Sequence, residues 1–340
     1  MAKRIERVLA GEAIWPPPAW LMRQAGRYLP EYRAIRATAG DFVTLATTPA
    51  MAAEVTLQPV RRYGMDAAIL FSDILMVPWA LGQGLSFKAG EGPVLPPIRD
   101  AQGLAGLDIR RVPGAITPIL EAVRLVKAGV GDATLIGFAG SPFTVACYMV
   151  EGGGSKDFAA VRGLAYADPA LFGALMDLLV ETTILYLKAQ IDAGAEVVMV
   201  FDTWAGMLPP RQFRMHVIEP TRRIVSAVKA AHPGVRVVGF PRMAGMLLGE
   251  YAAATGVDGV GVDTAADIGA ARGLVPGHVA VQGNLDPLLL VAGGAAMEEE
   301  ARGICDMLRG TPHIFNLGHG IVPQTSPEHV GALLAAVRGG

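Results

Sequence analysis

Cysteine is almost missing from this chain: only Cys147 and Cys305 occur in 340 residues, both in apolar surroundings and neither in a Cys-x-x-Cys pair. Disulfide scaffolds and zinc ribbons are thereby excluded. Lysine is scarce as well, 6 against 23 arginines, a bias that the base composition of a genome explains. Neither sign of charge dominates, since 29 Lys plus Arg oppose 31 Asp plus Glu for a formal net charge of -2. That balance argues against a general nucleic-acid or membrane-surface binder and leaves a local basic pocket open. The first 18 residues carry basic side chains but no long apolar stretch before their prolines, so they do not read as a secretory signal, and the cytoplasm is the default expectation. One uncharged run, Ala133 to Val150, is nominally long enough to span a bilayer. Its centre, Gly140-Ser141-Pro142, breaks a helix and suits a strand leading into a turn.

What the chain does have is a hydrophobic fraction of 52%, which excludes disorder and describes a soluble globular protein with a large core. Eight short apolar runs recur along it: Trp20-Met22, Asp66-Phe71, Thr134-Phe138, Glu196-Phe201, Val235-Phe240, Asp258-Val262, His278-Gln282 and His313-Leu317. Most lack polar alternation, as expected of parallel strands buried on both faces. Between them lies helix punctuation. Thr48-Pro49, Asp168-Pro169, Asp286-Pro287 and Ser326-Pro327 each set a capping side chain before a proline at the first helical position, and Gly194 stops the long helix that begins near Asp168. Eight strands alternating with helices and no linker predict a single α/β domain over residues 1-340, a (β/α)8 TIM barrel. A doubly wound dinucleotide fold would show Gly-x-Gly-x-x-Gly after an early strand, and none is present. The glycine-rich stretch Glu151 to Lys156 has the wrong spacing for a phosphate loop and reads as a mobile loop.

In such a barrel the reactive residues lie just beyond the carboxyl ends of the strands. Those ends supply Arg23 to Tyr28, Ser72-Asp73, Gly140-Ser141-Pro142, Asp202-Thr203-Trp204, Asp263, Gly283 to Asp286, and Gly318-His319-Gly320. No lysine ends a strand, which disfavours a Schiff-base aldolase. His319 has no His or Cys at metal-ligand spacing, so no metal site is expected, and no strand ends in the glutamate that a glycosidase would use, so that activity is not expected either. Structurally, Asp73 and Asp202 have the alternative of capping helices, Arg23 and Arg27 of surface ion pairs, and His319 of a plain loop. Convergence favours function, because a barrel brings all these ends to one mouth. Two arginines and a carboxylate in one cavity suit a polyanionic substrate that also carries hydrogen-bond donors.

The run Pro18-Ala19-Trp20-Leu21-Met22-Arg23-Gln24-Ala25-Gly26-Arg27-Tyr28-Leu29-Pro30-Glu31-Tyr32 resembles the amino-terminal signature of the uroporphyrinogen decarboxylase family. A second signature is similar to Gly137 to Thr144 followed by Tyr148. Further matches are Phe71 to Leu75, Phe201 to Gly206, Gln282 to Pro287 and Phe315 to Ile321, so the resemblance covers the chain from about residue 15 to the last helix. It implies a barrel, usually a homodimer, that works without metal or organic cofactor. The implied reaction converts the four acetates of uroporphyrinogen III to methyl groups, giving coproporphyrinogen III and carbon dioxide on the route to haem and chlorophyll. Carried over by motif, the catalytic residues are Asp73, Arg23 and Arg27. The implied tetrapyrrole contacts are Arg23, Gln24, Ala25, Gly26, Arg27, Asp73, Tyr148, Thr203 and His319. Thr203 stands where the family often has serine, keeping the hydroxyl. The loop after the fifth strand, Gly239-Phe240-Pro241-Arg242-Met243, departs from the pattern, and Arg242 is a positive charge with no assigned task.

Two other activities fit parts of this reading. One is a corrinoid-linked methyltransferase of the same barrel superfamily, against which the lack of a His-x-Cys element counts. The other is a non-catalytic tetrapyrrole-binding protein.

Overall fold

The computed structural model describes residues 2–88 and 92–339. Its sheet strands are β1 (Ala67–Ile69), β4 (Thr134–Gly140), β5 (Val197–Asp202), β6 (Arg236–Pro241), β7 (Gly259–Gly261), β8 (Ala280–Leu285) and β9 (His313–Leu317), all parallel and paired in that order. β2 (Ser86–Lys88) and β3 (Gly92–Val94) form a separate antiparallel hairpin, for which the sequence reading had no counterpart. Helices return the chain between the parallel strands, so the architecture is a TIM-barrel-like α/β fold.

The expected first strand, Trp20-Met22, is not a laddered strand. Among the described residues the segment's one sheet bridge runs from Ala19 to Phe315, with Phe315 N–H donating to Pro18 C=O at 2.9 Å and Trp20 N–H to Phe315 C=O at 3.3 Å. On its other side Asp66 N–H donates to Ala19 C=O at 3.0 Å. Beyond Trp20 two side-chain amides take over from the backbone. Met22 N–H donates to Asn316 Oδ1 at 2.9 Å, and Gln24 Nε2 donates to Ala67 C=O at 2.9 Å. The eighth place in the ring is therefore filled by a stub, because the chain turns at Arg23, whose φ of 60° is left-handed and incompatible with a strand.

Of the expected helix caps, Asp168 accepts from Leu171 N–H at 2.9 Å, Asp286 from Leu288 N–H at 2.8 Å, and Ser326 from Glu328 N–H at 3.3 Å. Thr48 makes no cap; its hydroxyl instead donates back to Thr44 C=O at 2.7 Å. Ala133 to Val150 becomes β4 followed by the helix Pro142–Glu151, as its central turn residues indicate. The stretch read as a mobile loop is tied down at its start: Gly152 C=O accepts from Leu95 N–H at 3.0 Å, and Glu151 Oε1 accepts from Ala160 and Val161 N–H at 3.0 and 3.1 Å. The helix Pro169–Ala193 is long and apolar enough to cross a membrane, but half of its most apolar stretch is buried inside the fold. Phe172, Leu175, Leu179 and Tyr186 are among its core residues.

Two apolar layers result from the two-residue alternation of the strands. The outer layer packs strands against helices, and the inner one fills the barrel. Inside lie Ile136, Phe138, Val197, Met199, Val238, Phe240, Ala280 and Ile314, closed at the amino-terminal end by Ile5, Val8 and Leu9 of the helix Arg4–Leu9.

Candidate functional site

The inner layer ends upward in aromatic rings. Phe201 packs edge-on to Phe138 at 5.5 Å between centroids and to Phe240 at 6.1 Å, and Phe201 and Ile74 are only partly buried against the core beneath them. These groups give the mouth an apolar, aromatic floor. Sequence reasoning had not named them, although inward-facing positions one or two residues before the strand ends are where such a floor has to come from.

Asp73 follows β1 and is half-buried, with Oδ1 accepting from Leu75 N–H at 2.8 Å. Burial raises its carboxyl above the ordinary range; the Leu75 amide and the Arg23 charge pull it back. Tyr148, on the helix Pro142–Glu151, is half-buried, and its hydroxyl is raised by burial first; among lesser influences Asp73 raises it further and Arg23 lowers it. His319 lies after β9, half-buried, with Nδ1 shielded from solvent and lacking a partner among the described residues. Burial lowers its pKa to about 4, helped by Arg23 and Arg242 and opposed by Asp263. The imidazole is therefore neutral near pH 7.

Arg23 thus belongs to one electrostatic neighbourhood with Asp73, Tyr148 and His319. Its exposed guanidinium is aimed by a close approach: a Cβ on Gly320 would stand 2.3 Å from Arg23 Cδ and 2.6 Å from Cγ. The His-Gly pair after β9 and the Arg-Gln-Ala-Gly-Arg loop are thus two halves of one contact. Arg27 is exposed on the same loop, with Ala25 and Gly26 half-buried between the two arginines. Thr203, after β5, is half-buried beside Trp204, whose ring stands 6.4 Å from that of Tyr148. Gln24 differs from the other loop residues. It is fully buried and its amide is spent on Leu21 N–H and Ala67 C=O, so its side chain supports the wall and does not face the mouth.

Two strand-end carboxylates go elsewhere. Asp202 is one residue past inward-facing Phe201 and so points outward; it is fully buried, accepting from Thr144 Oγ1 at 2.6 Å. Burial raises its pKa to about 6, against the pull of that hydroxyl and of Ser141. Thr144 Oγ1 in turn accepts from Trp204 N–H at 3.0 Å, so Asp202 holds the turn that carries Thr203. Asp263 also serves the backbone, accepting from Met243 N–H at 2.7 Å and Ala265 N–H at 3.0 Å.

The chain matches the family model for uroporphyrinogen decarboxylase over residues 1–340. It is 58% identical over 347 residues to the uroporphyrinogen decarboxylase of Gluconacetobacter diazotrophicus, covering 99% of this chain and 98% of that one. It is also 58% identical over 342 residues to that of Granulibacter bethesdensis, covering 99% of each. Among solved structures it is similar to a methyltransferase from Methanosarcina mazei, with a TM-score of 0.76, 21% identity and coverage of 98% and 97% of the two chains. A B12-independent methionine synthase from Shewanella sp. W3-18-1 gives a TM-score of 0.56 at 10% identity, covering 94% of this chain and 95% of that one. Likeness at such identities speaks to the fold alone, which is the barrel. With both family signatures placed at one mouth and this identity along nearly its whole length, the chain belongs to the uroporphyrinogen decarboxylase family.

Proposed function

We propose that the mouth carries out this carboxy-lyase reaction with Asp73 as its central group. Decarboxylation beside a pyrrole needs an acceptor for the electron pair released with carbon dioxide, and the ring becomes one when it is protonated at the carbon next to nitrogen. The protonated ring is a cation. A carboxylate facing the pyrrole N–H groups stabilises that cation as it forms, and the same N–H donors offset the burial that raises the Asp73 carboxyl. One such pair at about 4 Å and an effective dielectric near 20 is worth roughly 4 kcal/mol. That is about a thousandfold in rate if it is realised in the transition state alone.

Arg23 and Arg27 are suited to hold substrate carboxylates in bidentate pairs, while Tyr148, Thr203 and neutral His319 supply hydrogen bonds. The reacting acetate is best placed over Phe201 and Phe138, where an apolar surface favours loss of charge. An arginine, with a pKa above about 12, is poorly matched to proton donation near neutrality, so a bound water or a substrate carboxyl is the better donor.

The observation that carries this reading is the joining of Asp73, Arg23, Tyr148 and His319 above an aromatic floor. Anaerobic incubation with uroporphyrinogen III should yield coproporphyrinogen III on chromatography, without added metal or cofactor. Unchanged substrate from folded protein would refute it. The reading further takes the chain as one domain, cytoplasmic, and a homodimer; exposed Met243 and Met246 beyond β6 offer apolar surface for a second copy, and sedimentation of the purified protein tests that.

A further inference from the structure

The turn after β6 is fixed by hydrogen bonds to the segments that follow β5 and β7. Arg242 N–H donates to Asp202 C=O at 3.1 Å, and Arg242 C=O accepts from Gly206 N–H at 3.1 Å. Met243 N–H donates to Asp263 Oδ2 at 2.7 Å, and Met243 has a left-handed φ of 58°. Such a conformation in a residue other than glycine costs energy and collects at functional sites. Gly206 permits the arrangement, since a Cβ there would lie 2.4 Å from Met243 Cβ. The segment so fixed presents the half-buried Arg242 side chain. Among the described residues its guanidinium has no ion-pair or hydrogen-bond partner, and nearby Asp263 has both oxygens engaged by backbone N–H groups.

The position of this cation in the ring is informative. With the 18–22 segment in the eighth place, β6 stands four places away in either direction, so Arg242 enters the mouth from the rim opposite the segment that carries Arg23, and its charge, like that of Arg23, is felt at His319. We propose that Arg242 is a third carboxylate-binding residue, pairing a propionate of the macrocycle on the side opposite the Arg23 to Arg27 loop. A propionate is the better occupant, because a guanidinium on the reacting acetate would stabilise the charge that has to leave and slow the reaction. A carboxylate that persists through the reaction is bound alike in ground and transition states, so its loss raises KM and leaves kcat in place.

This inference rests on the decarboxylase reading of the mouth, and wild-type turnover measured alongside separates the two. In anaerobic initial-rate kinetics Arg242→Gln should raise the KM for uroporphyrinogen roughly tenfold or more, as expected for a lost charge-assisted pair, with kcat within about twofold of wild type. Partly decarboxylated macrocycles should accumulate, because a weaker hold releases them between rounds. Arg242→Lys should recover part of the affinity, and both variants should melt with the wild type, since among the described residues the guanidinium has no partner to lose. A wild-type KM in Arg242→Gln, or a loss confined to kcat, beside an active wild type would overturn the role of Arg242 alone. An inactive wild type would overturn the reading of the whole mouth.

Discussion

At the amino-terminal end of the barrel, Lys3 reaches Glu196 at 2.9 Å, Arg4 reaches Asp66 at 2.8 Å, and Asp258 is met by Lys229 at 2.8 Å and Arg236 at 3.0 Å. Each of these carboxylates also accepts from the start of a neighbouring segment: Glu196 from Leu135 N–H, Asp66 from Ala19 N–H, and Asp258 from Val237 N–H. At the opposite end, the guanidinium groups of Arg23, Arg27 and Arg242 have no carboxylate partner among the described residues, and Asp73 is held by one backbone amide. Charge at one end is spent on holding the strands together; at the other, Asp202 and Asp263 serve neighbouring turns while the three arginines and Asp73 stand without an ion-pair partner among the described residues. The contrast matches the division of barrels into a stability face and a reactive face.

Substitutions at the two ends should therefore fail in different ways. The largest effect is expected at Asp73, where Asn should lower kcat by about a thousandfold, the worth of one ion pair in the transition state, with Glu retaining slightly more. Equal rates for the two variants would show that charge is not what matters there. Next comes Gly320→Ala, which should displace the Arg23 stem and lower kcat/KM by roughly a hundredfold without touching a charged group. At the other end, Asp258→Ala should cost about 2–3 kcal/mol of stability in urea unfolding, by stranding a backbone donor and two cations, and leave kcat unchanged. A comparable loss of kcat would erase the distinction between the ends.

Smaller effects come from pH. His319 titrates at about 4 in the fold against an ordinary 6.5, so the unfolded chain takes up that proton first and stability is lost as pH falls from about 6.5 to 4. Replacing His319 by Asn should flatten part of that fall, with buried His313, also lowered to about 4, supplying another part. Asp202 has the opposite sign. Its raised pKa of about 6 costs stability above that pH and less below it, so Asp202→Asn should help more at pH 8 than at pH 5. Urea midpoints at the two pH values give the comparison.

Much of this was legible because period and punctuation are local. The seven laddered strands, the caps at Asp168 and Asp286, and the candidates Asp73 and His319 all follow from short stretches of sequence. The eighth strand was misread because Trp20-Met22 is as apolar as its partners; what ends it is a left-handed Arg23 and two amides, Gln24 and Asn316, supplied from outside the run. Asp202 ends β5 and takes the outward side of the sheet, whereas Asp73 lies four residues beyond β1 in a turn held by Leu75 N–H, a difference that two Asp residues near strand ends do not reveal in the sequence. The aromatic floor was missed because Phe201 and Phe138 look like ordinary core until the inner layer is separated from the outer.

The most direct measurement is anaerobic single-turnover conversion of uroporphyrinogen by Asp73→Asn, run beside wild type and Asp258→Ala. The account predicts that Asp258→Ala keeps the wild-type rate of carbon dioxide release while Asp73→Asn loses nearly all of it. A wild-type rate in Asp73→Asn would contradict it.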